Sequence, residues 1–169
     1  MTISPKLLLI GLLSIFLYAC GGGESQTASS DTTAQDEGPS VAPTVELTIE
    51  GNDQMRYNKE RLEVFAGQKV TLTLKHVGQL PVAAMGHNWV LLAQGTDVET
   101  FAVSAVSAAD NDYIPAGSGA EVIAHTKMIG GGEEVSIEFD APAAGTYDFI
   151  CTFPGHYGFM KGKFVVTEM

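Results

Sequence analysis

The sequence predicts an all-β domain, an antiparallel sandwich or barrel with one short helix, behind an N-terminal leader and a tether. Short runs alternate apolar and polar residues with a period of two, and Gly and Pro separate the runs. A single stretch near the middle of the chain instead repeats its apolar residues at helical spacing. Since alternating strands bury one face each, they need a second sheet to pack against.

Residues 1–19 predict a lipoprotein signal peptide. Lys6 supplies the positive N-terminal charge, and the apolar run after it is too short for a lasting membrane span. The following Leu-Tyr-Ala-Cys20 motif is typical of a lipobox, so cleavage would leave Cys20 as a lipid-bearing N-terminus. An ordinary secretory signal with a chance cysteine is the alternative. Gly21 after Cys20 favours the outer membrane if the host is Gram-negative.

Residues 20–44 form the predicted tether, and residues 45–169 the predicted domain. The tether is rich in Gly, Ser, Thr, Ala and Gln and lacks the apolar residues needed to fold. We expect it to give the domain reach above the membrane surface. The domain is long enough for one hydrophobic core.

Eight runs in the domain have the pattern of strands. They cover residues 45–49, 61–65, 70–75, 87–92, 121–126, 135–140, 147–151 and 163–167. Apolar residues recur at helical spacing within 96–110, with Asp97 and Glu99 near its start, which predicts a short helix packed outside the sandwich.

The net charge of −11 excludes a nucleic-acid-binding role. Because the acidic residues are spread along the chain, they indicate a solvated surface, with a bias towards basic partners.

A Cys-x4-His-x3-Met spacing near the C-terminus predicts a metal site. Cys151 closes a strand run, Pro154-Gly155 turns the chain, and His156 and Met160 follow on the loop. His87 lies far upstream. Two imidazoles, a thiolate and a weak axial thioether are the ligand set of a blue-copper electron-transfer site.

Each of these residues alone would more often be structural. A single Cys is usually a small buried hydrophobe, and a single Met usually fills a core. The alternative is therefore a domain of the same shape without metal. The number of cysteines favours a metal site. If Cys20 is acylated, Cys151 has no disulfide partner, and a free thiol in an oxidising compartment is reactive unless something such as copper binds it. A Cys20–Cys151 disulfide is the remaining alternative.

The domain resembles azurin along its whole length. The similarity is carried by GNDQM at 51–55, MGHNWVL at 85–91, VIAHTK at 122–127 and CTFPGH at 151–156. The lipobox, the tether and AGTY at 144–147 also resemble the auracyanins, membrane-anchored relatives of azurin. This resemblance implies an eight-stranded Greek-key β-sandwich, the cupredoxin fold, with one helical flap.

The resemblance also implies a role for individual residues. His87, Cys151 and His156 would be equatorial copper ligands, Met160 the long axial ligand, and the Gly86 carbonyl the weak contact opposite. Around them, Asn88 would join the ligand-bearing loops by hydrogen bonds, Phe149 and Phe153 would shield the site, and Trp89 would lie in the core.

Two positions differ from the azurin pattern. Azurin carries a disulfide where this chain has Val45 and Gly67, so that bridge is absent. His76 matches a buried azurin histidine that titrates with redox state, but Val77 follows it where azurin has Pro. His76 is therefore either a redox-linked proton site or a satisfied buried imidazole. His125 is expected at the surface without a role.

An apolar loop predicts a docking patch. Residues 80–85 are all apolar, and with Phe159 they would surround His156, the expected electron port. We name Leu80, Met85 and Phe159 as the patch; the alternative is that the loop packs inward.

Electron transfer at a bacterial membrane surface is the predicted function, with a c-type cytochrome or another periplasmic or membrane oxidoreductase as partner. The chain would be a monomer in the cell envelope, facing the periplasm and anchored through its lipid. An enzyme would need an open copper position or a second centre, and Met160 fills the axial place. Copper buffering or delivery is the alternative, although it usually uses exposed Met-rich or His-rich tracts.

Overall fold

The computed structural model describes residues 42–169. The predictions of the signal peptide, of most of the tether and of lipidation at Cys20 lie outside these residues. Within residues 42–169, no helix combines the length and the apolar character needed to cross a membrane.

Two sheets pack face to face. Their strands are β1 (Thr44–Asn52), β2 (Arg56–Tyr57), β3 (Arg61–Phe65), β4 (Lys69–His76), β5 (Val90–Leu92), β6 (Val122–His125), β7 (Glu134–Asp140), β8 (Gly145–Ile150) and β9 (Lys161–Thr167). One sheet has the order β2-β1-β4-β7, and the other has the order β3-β9-β8-β5-β6. The predicted β-sandwich is confirmed, with nine strands in place of eight because β2 adds a two-residue pairing to β1.

Strand direction differs from the prediction of a wholly antiparallel sandwich. β1 runs parallel to β4, and β3 runs parallel to β9, whereas the other neighbouring strands are antiparallel. Two parallel strands are joined by a crossover connection and not by a tight hairpin. Turn residues in the sequence indicate hairpins, so they could not predict these two parallel pairs.

The alternating pattern places every second residue in the core. In β4, Val70, Leu72 and Leu74 are buried while the residues between them are more exposed. Trp89 is fully buried in the same core, as predicted, and packs near Phe139 and Phe164. The predicted strand 87–92 is shorter, because β5 begins only at Val90 and His87 pairs with Ile129 as an isolated bridge.

The predicted helix 96–110 ends early. Helix α2 spans Val98–Ala105, and a separate 3-10 turn covers Ala109–Asn111. Asp97 caps α2 by accepting a hydrogen bond from the Thr100 N–H at 2.7 Å. The hydroxyls of Ser104 and Ser107 donate to carbonyls three residues earlier, which competes with a regular helix end.

Helix α2 packs on the outer side of one sheet, as predicted. Its buried residues Phe101 and Ala102 contact a small cluster that includes Val90, Leu92 and Ile150. A second helix, α1 (Val82–Met85), lies in the segment that the sequence predicts to be a loop. A further 3-10 turn covers Ser118–Ala120.

Candidate metal centre

The loop between β8 and β9 folds back on itself. Cys151 follows β8 directly, and its N–H donates to the Met160 carbonyl at 2.9 Å. The Met160 N–H donates to the His156 carbonyl at 2.8 Å. Gly155 has a φ of +83°, a conformation that glycine adopts without steric cost, so the Pro-Gly turn forms as predicted. These contacts bring Cys151, His156 and Met160 to one place.

His87 reaches the same place from the other side of the sandwich end. Its backbone N–H donates to the Ile129 carbonyl at 2.9 Å, and the Ile129 N–H donates back at 2.8 Å. The ring nitrogen Nε2 lies 3.0 Å from the Asn52 carbonyl oxygen. Because a carbonyl can only accept, Nε2 carries the proton and Nδ1 keeps a free lone pair.

Three potential ligand atoms converge at this point. One atom each from His87, Cys151 and His156 lies within 4.8 Å of the others, and all three residues are buried. The Cys151 Sγ atom is 3.6 Å from His156 Nδ1 and 3.9 Å from the Gly86 carbonyl oxygen. These distances between the three atoms are short enough for all three to bind one metal ion.

Met160 lies beside this group and is fully buried. A Cβ atom placed on Gly51 would lie 2.7 Å from the His87 ring and 3.2 Å from the Met160 methyl carbon. The thioether end of Met160 and the His87 imidazole therefore share one wall of the site, and Gly51 leaves the space that both occupy.

Burial controls the protonation of the group. It lowers the pKa of His87, and it lowers the pKa of His156 to about 4. Burial also raises the pKa of the Cys151 thiol to about 12, against the opposing effect of backbone N–H groups of Asn88 and Phe153. Both imidazoles are thus neutral at physiological pH and able to bind a metal, whereas the thiol needs a cation to hold it as thiolate.

One buried atom tests whether a metal fits here. Within residues 42–169, His87 Nδ1 is one of two buried side-chain polar atoms without a hydrogen-bond partner. A buried lone pair left unpaired is costly. Because the thiol and a second imidazole face the same point, this donor set fits a soft or borderline cation such as copper.

Asn88 joins the two ligand-bearing segments. Its side-chain amide donates to the Thr152 hydroxyl at 2.7 Å and to the Asp112 carbonyl at 2.8 Å. In return, the Thr152 N–H donates to the Asn88 side-chain oxygen at 2.9 Å. Since Asn88 follows His87 and Thr152 follows Cys151, these bonds hold the two ligand positions in register.

Tyr57 is a supporting residue that the sequence reasoning missed. Its hydroxyl donates to the Asn88 carbonyl, and its ring is buried against Phe149 with centroids 5.7 Å apart. Burial raises the pKa of this phenol well above its ordinary value. The sequence held no signal for the contact, because Tyr57 and Asn88 are 31 positions apart and Tyr57 lies in a two-residue strand.

The two predicted shielding residues have different positions. The Phe153 ring contacts the His156 ring, with centroids 4.7 Å apart. Phe149 is fully buried in the core, 5.8 Å from Trp89 and next to Tyr57. Phe153 therefore covers the imidazole directly, while Phe149 supports the site from behind through Tyr57.

His76 stacks on His87, with ring centroids 4.2 Å apart and 12° between their planes. Its Nε2–H donates to the Met85 carbonyl at 2.8 Å, and its Nδ1 accepts from the Gly78 N–H at 3.0 Å. Both nitrogens therefore have hydrogen-bond partners, and the Asp53 carboxylate lies 4.0 Å from Nε2. His125 is exposed, as predicted.

The predicted docking patch lies at the surface. Leu80 is 41% exposed, Phe159 is 53% exposed, and Met85 is half-buried. Val82 in α1 adds further exposed apolar surface. The segment therefore does not pack inward.

The chain has clear relatives. A family model described as copper binding proteins of the plastocyanin/azurin family matches residues 43–167. Outer membrane protein H.8 of Neisseria meningitidis serogroup B is 45% identical over 124 residues, which are 72% of this chain and 67% of that protein. Azurin of Bordetella pertussis is 44% identical over 135 residues, which are 77% of this chain and 89% of that protein.

Solved structures have the same architecture. Auracyanin A of Chloroflexus aurantiacus, a blue copper protein, superposes with a TM-score of 0.67 at 37% identity, over 73% of this chain and 99% of that one. Reduced auracyanin of Roseiflexus castenholzii superposes with a TM-score of 0.66 at 35% identity, over 76% of this chain and 99% of that one.

Proposed function

Because this chain belongs to the plastocyanin/azurin family of copper-binding proteins, we propose that it is a one-electron carrier between redox proteins at a bacterial membrane surface. Copper is its cofactor. The observation that carries the proposal is the buried, unpaired His87 Nδ1 facing the same point as Cys151 Sγ and His156 Nδ1.

The proposed ligands follow from these atoms. His87 Nδ1, Cys151 Sγ and His156 Nδ1 would hold the copper. The Met160 thioether and the Gly86 carbonyl oxygen would be weaker ligands beside them. Support comes from the 3.6 Å and 3.9 Å separations around Cys151 Sγ and from the burial of Met160.

Bound copper supplies a centre that alternates between its cuprous and cupric states. The protein residues keep that centre from rearranging. Asn88 fixes the distance between the His87 and Cys151 segments through Thr152. The Asn52 carbonyl holds the His87 ring, and Phe153 covers His156. A site that moves little when an electron arrives is suited to fast exchange.

Electrons would pass through the end of the molecule that carries Leu80, Met85 and Phe159. Two of these side chains are substantially exposed although apolar, which favours brief docking with a redox partner over tight assembly. A c-type cytochrome or another envelope oxidoreductase is the proposed partner class. The carrier would act as a monomer.

The proposed location is the cell envelope, with lipidated Cys20 as membrane anchor and residues 20–44 as tether. Support comes from the lipobox and from the relative named as an outer membrane protein. A periplasm-facing carrier on a tether could reach partners on one membrane surface.

A copper titration of the full chain tests the function. Copper(II) should produce an intense copper–thiolate absorption band and narrow hyperfine splitting in electron paramagnetic resonance. Cys151→Ser should abolish both signals, and the control Cys20→Ser should keep them. Repeated reduction and oxidation without metal loss indicates a carrier, whereas release of copper on each reduction indicates the alternative of buffering or delivery. A weak copper signal that is indifferent to Cys151→Ser would contradict the blue-copper site.

A further inference from the structure

Basic residues cluster on one part of an acidic molecule. The chain has 20 acidic and nine basic residues. Four of the nine basic residues lie together near the starts of β3 and β9 and on β2. We call this group the basic face; it consists of Arg56, Arg61, Lys161 and Lys163.

Strand pairing brings the group together. Arg61 of β3 is the direct neighbour of Lys163 of β9. Lys161 and Lys163 are two positions apart in one strand, so both project to the same side, and both are exposed. The Lys163 N–H also donates to the Glu60 carbonyl at 2.8 Å, which fixes β9 against the segment that precedes β3.

The basic face continues into the metal-site loop. The Arg56 guanidinium lies 4.8 Å from the centre of the Phe159 ring. Arg56, Phe159, Lys161 and Lys163 line a shared groove of about 470 Å³, which Glu60 and Asp148 also line. Phe159 is three residues from His156 and donates its N–H to the His156 carbonyl at 2.9 Å. Charge and apolar surface thus meet at the proposed electron port.

Two of these cations lack ion-pair partners. Arg61 pairs with Glu63, and Lys163 pairs with Asp148 at 2.6 Å. In the part of the chain that the structure describes, no carboxylate lies within ion-pair distance of Arg56 or Lys161.

The lysines of β4 provide a contrast. On β4, which is in the same sheet as β2, Lys69 is paired with Asp140 at 2.9 Å and Lys75 with Glu134 at 3.0 Å. Their charge is compensated locally, whereas that of Arg56 and Lys161 remains available to a partner.

We propose that the basic face is a docking surface for a redox protein that presents carboxylates around the edge of its own cofactor. The proposal rests on the electron-carrier function and specifies its partner. Because the molecule as a whole is acidic, a carboxylate-bearing partner is attracted to exposed cations that have no carboxylate of their own, such as Arg56 and Lys161. A partner that binds Arg56 and Lys161 brings its cofactor towards Phe159 and His156.

Charge complementarity favours a protein over an anionic membrane. A lipid surface seated on the basic face would also cover Phe159, and with it the site through which electrons must pass. A protein partner could bind the cations of the basic face and the apolar Phe159 side chain at the same time. Apolar contact at Phe159 would then stabilise the orientation that the cations favour.

Two double variants with equal changes in charge test the proposal. Arg56→Gln/Lys161→Gln removes the two unpaired cations of the basic face, and Lys69→Gln/Lys75→Gln removes two ion-paired cations from β4. Stopped-flow kinetics would follow electron exchange between the copper-loaded full chain and a cytochrome whose haem edge is ringed by carboxylates. At about 0.01 M ionic strength the first variant should react about tenfold more slowly than the parent, and the second within about twofold of it. At about 1 M ionic strength the difference should vanish.

Equal slowing of both variants would mean that only net charge matters and would overturn the proposal, as would an unchanged rate for Arg56→Gln/Lys161→Gln. Weaker binding of that variant to phosphatidylglycerol vesicles with no change in rate would also overturn it, in favour of the membrane. A small uncharged oxidant should react equally with all three proteins. If the small oxidant does not exchange electrons even with the parent chain, the electron-carrier function is contradicted. If it reacts with the parent chain, a negative result with the cytochrome concerns the docking surface alone.

Discussion

Asn88 and Thr152 exchange two hydrogen bonds, of 2.7 and 2.9 Å, although 64 positions separate them in the chain. Each residue directly follows a proposed copper ligand, so this pair links the two sides of the site. The Asn88 amide is therefore one of the side chains on which the rigidity of the centre depends.

Replacing that amide should loosen the site. Asn88→Ala leaves the Thr152 N–H and the Asp112 carbonyl without their buried partners, which should cost about 3 kcal/mol of unfolding free energy. Urea unfolding of the copper-free protein would measure the loss. Thr152→Ser keeps the hydroxyl and should cost about 1 kcal/mol or less. Equal stability of Asn88→Ala and the parent would contradict the role of this link.

Tyr57→Phe should alter the site as well as the stability. It removes the hydroxyl that donates to the Asn88 carbonyl but keeps the ring packed on Phe149, so we expect a loss of about 1–2 kcal/mol and a shifted copper–thiolate band. Tyr147→Phe is the matched control, because its hydroxyl donates to the Ala143 carbonyl at 2.7 Å at the start of β8. A spectrum that shifts equally in both variants would argue against a positioning role for Tyr57.

Copper affinity should rise with pH because Cys151 must lose a proton to bind. Burial raises the pKa of its thiol to about 12, so this proton is still present at neutral pH, whereas burial holds the pKa of His156 down to about 4. The logarithm of the affinity should therefore increase by about one per pH unit between about pH 6.5 and 9.

Competition with a chelator of known pH dependence would measure that slope. Cys151→Ser removes the titrating thiol and should flatten the slope. A slope near three for the parent would instead mean that protons also leave both imidazoles, and that burial does not keep the histidines neutral.

Gly51→Ala should disturb the metal site directly. The added methyl group would lie 2.7 Å from the His87 ring, so the imidazole or the strand must move. We expect weaker copper binding, by about tenfold or more, with little change in the fold. Gly119→Ala is the control, since nothing lies within 4 Å of a Cβ atom there. Unchanged affinity in Gly51→Ala would show that the His87 wall is more adaptable than the packing indicates.

The proposed anchor can be tested by cell fractionation. Cys20→Ala removes the acyl acceptor and should move the protein from the membrane fraction to the soluble envelope fraction, without changing its copper spectrum. Persistence in the membrane fraction would indicate that another part of the chain holds it there.

Most of the strands could be predicted from the sequence because the pattern that indicates each strand lies within one short segment. The period-two runs that became β3 and β4 bury one face each, the run that became β7 half-buries one face, and the Cys151 to Met160 spacing lies within a single loop. The resemblance to azurin and auracyanin is confirmed by the family match and the structural neighbours.

Features that depend on distant contacts were not predictable in the same way. The parallel pairings of β1 with β4 and of β3 with β9 leave no periodic signal. Helix α1 has four apolar residues and no polar face, so its pattern could not distinguish it from a loop. The pairing of Arg61 with Lys163 across two strands created a basic face that the spread of charges along the sequence concealed.

The position of β9 has a consequence for folding. β9 lies between β3 and β8 in the five-stranded sheet, and it directly follows the loop that carries Cys151, His156 and Met160. The five-stranded sheet is therefore complete only when β9 inserts between two strands that come from earlier segments. The same insertion fixes the second end of the loop that carries these three side chains.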